Sequence, residues 1–315
     1  MNRTFTVFFK GMMMGLADLV PGVSGGTIAL IAGIYQELIE TLNKLRPSLL
    51  KTLFQKGPAA FWSAINGPFL LSVFGGILSS VFLFSSLIQW MLIHKQILLF
   101  AFFFGVLIAS LLILRKHVSQ WNLPHLLLLL GGALIAFVTT QLVPTHTEID
   151  SAYLFFCGFL AISAMILPGL SGAYLLLVLG AYGRILQLVQ DAIQVLTEFA
   201  WTDFFTVYGA LSLFVLGIIT GLLTFSRILR WFLKNYPSKT LASLLGLMLG
   251  ALHKIWPWQL IRETSFQGKT RQFYTAVWPH QYPGDPEWLM AATACILGIG
   301  TLFALEHFKK RQSLV

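Results

Sequence analysis

Two short runs in the sequence set proline, glycine and serine in the same order. One is Pro21-Gly22-Val23-Ser24-Gly25-Gly26, followed by Thr27; the other is Pro168-Gly169-Leu170-Ser171-Gly172-Ala173. Both lie in apolar surroundings. Proline ends a helix arriving from upstream, and serine favours the first cap of a helix leaving downstream. The glycines that follow leave backbone N–H groups uncovered by side chains. A helix start of this kind offers unpaired donors and the positive end of the helix dipole, which suits a phosphate or carboxylate. Two such starts meeting from opposite sides would hold one anion between them. The plainer account is that small residues let two hairpins pack closely. Spacing alone favours the anion site.

Asp18 lies three residues before Pro21, and its counterpart before Pro168 is Met165. A carboxylate inside an apolar segment is unfavourable and is functional by default. It reads either as a proton acceptor for coupled transport or as a structural acceptor of backbone hydrogen bonds within the break. Residue types leave both open. Lys10 and Arg184 stand near the ends of the two segments, where they would guide an anionic group. Cations so placed are more often snorkelling side chains. The seven histidines are scattered without metal-ligand spacing, and neither serine has a local histidine partner. Cys157 and Cys295 read as apolar packing residues. No catalytic residue, metal or cofactor is expected.

The elements that position these runs form a repeat. An offset of 147 superposes the two motifs and also aligns Gly11 with Gly158, Leu30 with Leu177, Gly33 with Gly180 and Tyr35 with Tyr182. Further on, an offset of 141 aligns Gly76 with Gly217, Trp90 with Trp231 and Gly105 with Gly246. The chain therefore divides at 1–147 and 148–315.

Composition places the repeat in a membrane. Hydrophobic residues make up 57% of the 315 and charged residues only 10%, against roughly 25% charged in soluble domains; mean hydropathy is +0.78. A spanning helix takes roughly 20 residues, which leaves room for about eight embedded segments. The arm from Phe5 to Asp18 reaches only about 21 Å before its break, short of a hydrocarbon core of roughly 30 Å. A short, broken apolar arm suits a re-entrant hairpin, here expected at 5–42 and again at 152–187. Ordinary spans are expected at 67–92, 97–114, 123–142, 205–226, 240–255 and 288–306.

Charge supports that layout. With hairpins that return to their own side and the N-terminus inside, Lys44, Arg46, Lys51, Arg115, Lys116, Arg227, Arg230 and Lys234 fall inside, whereas Glu148, Asp150, Asp191 and Asp203 fall outside. The net charge of +9 then belongs to cytoplasmic loops facing lipid headgroups, with no nucleic-acid partner. One hairpin plus three spans is an odd number of crossings, so the second copy is inverted. The expected fold is an all-α polytopic membrane protein of two inverted repeats, each a re-entrant helical hairpin plus three transmembrane helices. Residues 256–287, rich in tryptophan, are expected as an external loop resting on headgroups.

The run from Lys10 to Tyr35, KGMMMGLADLVPGVSGGTIALIAGIY, resembles the defining motif of the bacterial polyprenyl-phosphate transporter family. The second run, LPGLSGAYLLLVLGAYGRIL (167–186), is similar to that family's second motif, with Gly183 and Arg184 where the family often has an acidic residue. The resemblance covers essentially the whole chain. It implies a non-enzymatic flippase that returns undecaprenyl phosphate from the outer to the inner leaflet of the cytoplasmic (inner) membrane for reuse, with both termini cytoplasmic. Membrane lipids are its surroundings, and homo-oligomerisation is left open. The residues that match the motifs are Lys10, Asp18, Pro21, Gly22, Ser24, Gly25, Gly26, Thr27, Pro168, Gly169, Ser171 and Gly172. Two other classes share broken helices. An undecaprenyl-diphosphate phosphatase would carry an arginine after the motif serine, where Gly25 and Gly172 stand here. A small-anion secondary transporter would need an aqueous vestibule closed to lipid.

Overall fold

The structure, a computed structural model, describes residues 3–20, 22–46, 48–142, 150–197, 204–266 and 269–312. Helices α1 (Arg3–Asp18), α2 (Gly25–Ile31) and α3 (Tyr35–Lys44) open the chain, followed by α4 (Ser48–Ala64), α5 (Gly67–His94), α6 (Gln96–Leu114) and α7 (Leu123–Gln141). Then come α8 (Ser151–Ile166), α9 (Gly172–Val178), α10 (Ala181–Thr197), α11 (Phe204–Asn235) and α12 (Pro237–Ala251). Two strands, β1 (Gln259–Phe266) and β2 (Lys269–Ala276), precede α13 (Trp288–Gln312).

Local sequence sets the starts. Asn122 caps α7 by accepting from the His125 N–H at 3.4 Å, and Asp150 caps α8 by accepting from the Tyr153 N–H at 2.7 Å. Pro68, Pro124 and Pro237 sit in first turns, where a missing N–H is harmless.

Among the described residues four helices are long and apolar enough to cross a membrane: Gly67–His94, Gln96–His117, Leu123–Gln141 and Phe204–Asn235. The pair Gly172–Val178 and Ala181–Val195, bent by 105°, makes a fifth if it counts as one span. The chain is thus a multi-pass membrane protein, almost wholly helical. The expected span 240–255 is instead a 15-residue helix, α12, closed by a 3-10 turn over Leu252–Ile255. At about 22 Å the α-helix is shorter than the hydrocarbon core. The expected span 288–306 falls in α13, whose apolar stretch is Trp288–Ala304.

Glycines decide which helices pair. Apolar helices in lipid gain little from hydrophobicity and associate through close backbone approach. A Cβ at Gly76 would fall 2.1 Å from the Phe8 carbonyl oxygen, and one at Gly11 would fall 2.4 Å from that of Val73, so α1 and α5 lie against each other. A Cβ at Gly217 would likewise collide with the Phe155 carbonyl oxygen, and one at Gly158 with that of Phe214, so α8 and α11 lie against each other in the same way. The later helices pair across the chain. Gly105 of α6 lies against the Cys295 carbonyl of α13, and Gly246 of α12 against the Leu129 carbonyl of α7, each too close for a Cβ to be added. Helices α6 and α7 of residues 1–147 thus pack on α13 and α12 of residues 148–315.

Two regions depart from expectation. Residues 256–287 contain the antiparallel pair β1–β2, with Gln259 opposite Ala276, so the fold is not purely helical. Around it Trp256, Trp258, Trp278 and Trp288 pack together. The basic segment after α3 is a helix, α4, kinked at Gly57, whose φ of 81° is outside the helical region. Glu148 and Asp203 lie outside the described residues.

Candidate functional site

The first break follows α1. Leu19 and Val20 continue as a bend, with their N–H groups donating to Gly15 and Ala17. Pro21 lies outside the described residues. Gly22 has φ +89°, a left-handed conformation that other residues resist. Ser24 is extended (φ −124°, ψ 130°) and occupies the cap position of α2, as its residue type predicts. Its side chain, however, makes no capping bond. The cap comes from Asp18, whose Oδ1 accepts from the Gly25 N–H at 2.6 Å. A charged acceptor binds an N–H about twice as strongly as a neutral one, and the tight turn at Gly22 brings the end of α1 back to the start of α2. Gly25 is required for this approach, since a Cβ there would fall 2.4 Å from Asp18 Oδ2. Ser24 is buried, whereas Asp18 remains exposed.

The second break follows α8 and repeats the backbone. Pro168 is fully buried. Gly169 has φ +86°, close to that of Gly22, and the later pair Gly33 and Gly180 match at +72° and +71°. The capping differs. Ser171 Oγ accepts from the Tyr174 N–H at 3.3 Å, the ordinary serine cap. No carboxylate is available there, because Met165 stands in the place of Asp18.

The two breaks touch. The Gly169 N–H donates to Thr27 Oγ1 at 3.0 Å, and Thr27 is buried. Tyr35 donates its hydroxyl to the Ile166 carbonyl at 2.9 Å. Gly26 faces the Met165 and Ile166 carbonyls, 3.2 Å from where its Cβ would be. The paired glycines therefore divide the labour: Gly25 admits the carboxylate and Gly26 admits the second break. Between Gly22, Ser24, Thr27 and Gly169, walled by α6 and by Ile255, lies a cavity of about 10 Å³. That is room for one water at most.

Lys254 joins this site without being foreseen from the sequence. Its stem passes Gly22, where a Cβ would fall 2.9 Å from Lys254 Cγ, and its Nζ stands 4.5 Å from the centre of the Tyr174 ring on α9. Tyr174 in turn donates to the Thr140 carbonyl at 2.9 Å. One cation therefore contacts both breaks. The available signal was a lysine closing the apolar run 241–256. Gly172 starts α9 as expected and lies against the Ala161 carbonyl. Lys10 is half-buried on α1, about 12 Å upstream of Asp18 along the helix. Arg184 is half-buried in the first turn of α10. None of the contacts just described involves either. Among the described residues no cluster of His, Cys, Asp and Glu is placed to hold a metal.

Comparison with known proteins gives a consistent picture. A family described as "undecaprenyl phosphate translocase-like" matches residues 14–273. The chain is 37% identical over 313 residues to a protein of Vibrio cholerae serotype O1 named "Polyprenyl-phosphate transporter", covering 97% of each. It is 30% identical over 261 residues to a Staphylococcus aureus protein of the same name, covering 79% of this chain and 84% of that one. No solved structure matches.

Proposed function

The chain belongs to the undecaprenyl phosphate translocase-like family, and from that membership we propose that it carries undecaprenyl phosphate from the outer to the inner leaflet of the bacterial cytoplasmic membrane. Its relatives are named as transporters, and the glycine after each motif serine leaves no arginine to stabilise a phosphoryl transition state. The long apolar tail stays in lipid throughout. Only the phosphate head has to cross, and its desolvation is the barrier.

The fold proposed for this transport has two inverted repeats, 1–147 and 148–315, each with a re-entrant hairpin that turns at a Pro-Gly break. Matched φ values at Gly22 and Gly169 and the cross-packing of α6 with α13 and α7 with α12 support it. The head binds where the breaks meet, among the N–H groups of Gly22, Gly25, Gly26, Gly169 and Gly172, the hydroxyls of Ser24, Thr27 and Ser171, and the ammonium of Lys254. Lys10 and Arg184 guide it in. A single N–H contact at a helix start contributes only ~0.3–1 kcal/mol when exposed, so several must act together. Because the cavity is now nearly closed, binding requires the breaks to part.

The observation that carries this reading is the seat of Asp18 on the Gly25 N–H. There the protein's own carboxylate occupies the position proposed for phosphate. An ionised Asp18 excludes the phosphate by competition and by charge. A protonated Asp18 releases the N–H and admits it. On an acidic outer face the exchange favours loading. At the neutral inner face Asp18 ionises, reclaims Gly25 and expels the head, so that a proton travels inward with each phosphate.

Proteoliposomes containing a fluorescent polyprenyl phosphate test the function. The expected result is protein-dependent translocation of the lipid with no release of inorganic phosphate. Release from a polyprenyl diphosphate, with no translocation, would sink it.

A further inference from the structure

A second concavity lies away from the breaks, where α6 ends. It has a volume of about 640 Å³. Its floor is apolar, with Leu112 from α6, Leu129 from α7, and Leu245 and Leu249 from α12. Arg115 and Lys116, in the short 3-10 turn that follows α6, are the charged residues lining it among the described residues. Both are exposed, and neither side chain makes a hydrogen bond or ion pair among the described residues. Leu112 and Leu249 are also open at the surface, so the trough opens at the surface of this multi-pass chain. A chain of methyl and methylene groups fits its floor. A phosphate fits the paired cations at its rim, where a guanidinium and an ammonium each form charge-assisted bonds to phosphate oxygens.

The other half carries different residues at the corresponding position. At the offset of 141, Arg115 corresponds to Trp256 and Lys116 to Pro257. Trp256 packs edge-on against Phe104, with ring centres 5.4 Å apart, and its indole N–H donates to the Val277 carbonyl at 2.9 Å. The corresponding place is thus filled by an aromatic plug tied to the strand pair.

Helix α12 links the trough to the breaks. Leu245 and Leu249 line the trough, whereas the Leu247 carbonyl and the Met248 N–H face Gly169, and Ala251 lines the small cavity. Leu249 and Ala251 are separated by about 3 Å of helix rise. That continuity favours a transported lipid over a bulk phospholipid. We propose that the trough is a docking station for polyprenyl phosphate on the side where α6 ends, with the head on Arg115 and Lys116 and the first isoprene units along Leu112, Leu245 and Leu249. This rests on the proposed substrate and adds a site outside the breaks.

The test uses the full-length protein in phosphatidylcholine nanodiscs and a polyprenyl phosphate bearing a photoactivatable group. In the wild type, crosslinks are expected in residues 111–129 and 245–249, and a tenfold excess of phosphatidylglycerol should leave them in place. The R115Q/K116Q variant should bind about tenfold more weakly or worse, having lost both charged contacts. Leu249→Trp, which imitates the plug of the other half and keeps both cations, should remove the same crosslinks. Unchanged thermal unfolding of the variants excludes misfolding. Unaltered affinity and crosslinks in both variants would overturn the station while leaving the transporter reading intact. Displacement by phosphatidylglycerol would overturn it too, by making the trough a general anionic-lipid site. Absence of polyprenyl phosphate binding anywhere on the wild type would remove the parent reading and the station together.

Discussion

Gly22 and Gly169 turn the chain through nearly the same angle, yet the helices that follow them are capped by different chemistry. After Gly22 the cap is a carboxylate reaching back from α1, Asp18 to Gly25 at 2.6 Å. After Gly169 it is the neutral hydroxyl of Ser171, at 3.3 Å from the Tyr174 nitrogen. The backbone duplicates and the charge does not. The two breaks meet where the Gly169 N–H donates to Thr27, and only the first has a carboxylate beside it, the group to which the proposed mechanism assigns the response to protons. Thr27 shows the same division. Its hydroxyl accepts from the second break, whereas its counterpart, Tyr174, points its hydroxyl to Thr140 and supports the Lys254 ammonium.

This contrast yields graded expectations. The largest effect belongs to Asp18→Asn, which keeps the shape and removes the charge. Proton-driven translocation should fall by about tenfold or more, each factor of ten being about 1.4 kcal/mol of lost coupling, while Ser171→Ala at the other cap should lower the rate but keep its response to protons. Gly25→Ala comes next. Its Cβ would collide with the carboxylate of Asp18, so both stability and transport should drop. The Gly25→Ala, Asp18→Ala double variant should recover stability but not transport. Retained transport in the double variant would break the proposed role of Asp18.

Thr27→Val strands the buried Gly169 N–H and should destabilise the fold by about 1–3 kcal/mol, measured by thermal unfolding in detergent. The smallest effects separate the two serines. Ser171→Ala removes a cap and should cost about 1 kcal/mol. Ser24→Ala removes none, so stability should change by less than about 0.5 kcal/mol. A transport loss in Ser24→Ala would then report contact with the phosphate. Equal destabilisation by the two substitutions would contradict the capping difference.

Much of this frame was legible in residue types. A Pro-Gly followed by Ser-Gly at an offset of 147 marks helices that begin just after the serine, and α2 and α9 do begin there, whereas the left-handed turns at Gly22 and Gly169 came from the structure. Asp18 was legible as an exception, because its counterpart is a methionine. Its bond to Gly25 was one of two open readings, since nothing in sequence spacing says how tightly a chain folds back at Gly22. Lys254 escaped because a lysine at the end of an apolar run reads as a snorkelling cation. Only the packing of α12 beside both breaks brings it to Gly22 and Tyr174. The strand pair escaped because QLIRETSF and KTRQFYTA mix charged, β-branched and aromatic residues without one dominant period. In the short helix α12, Gly246 and Gly250 make close contacts with α7 that composition alone does not assign to a partner.

The central claim is that the Asp18 carboxylate and the lipid phosphate compete for the same N–H group at the first break. The most direct measurement is translocation of polyprenyl phosphate into proteoliposomes, with the pH of the outer face varied at fixed inner pH, for wild type and Asp18→Asn. The account predicts that wild-type transport rises as the outer face is acidified, whereas the variant is slow and indifferent to pH. An Asp18→Asn protein that keeps both the wild-type rate and its pH dependence would contradict it.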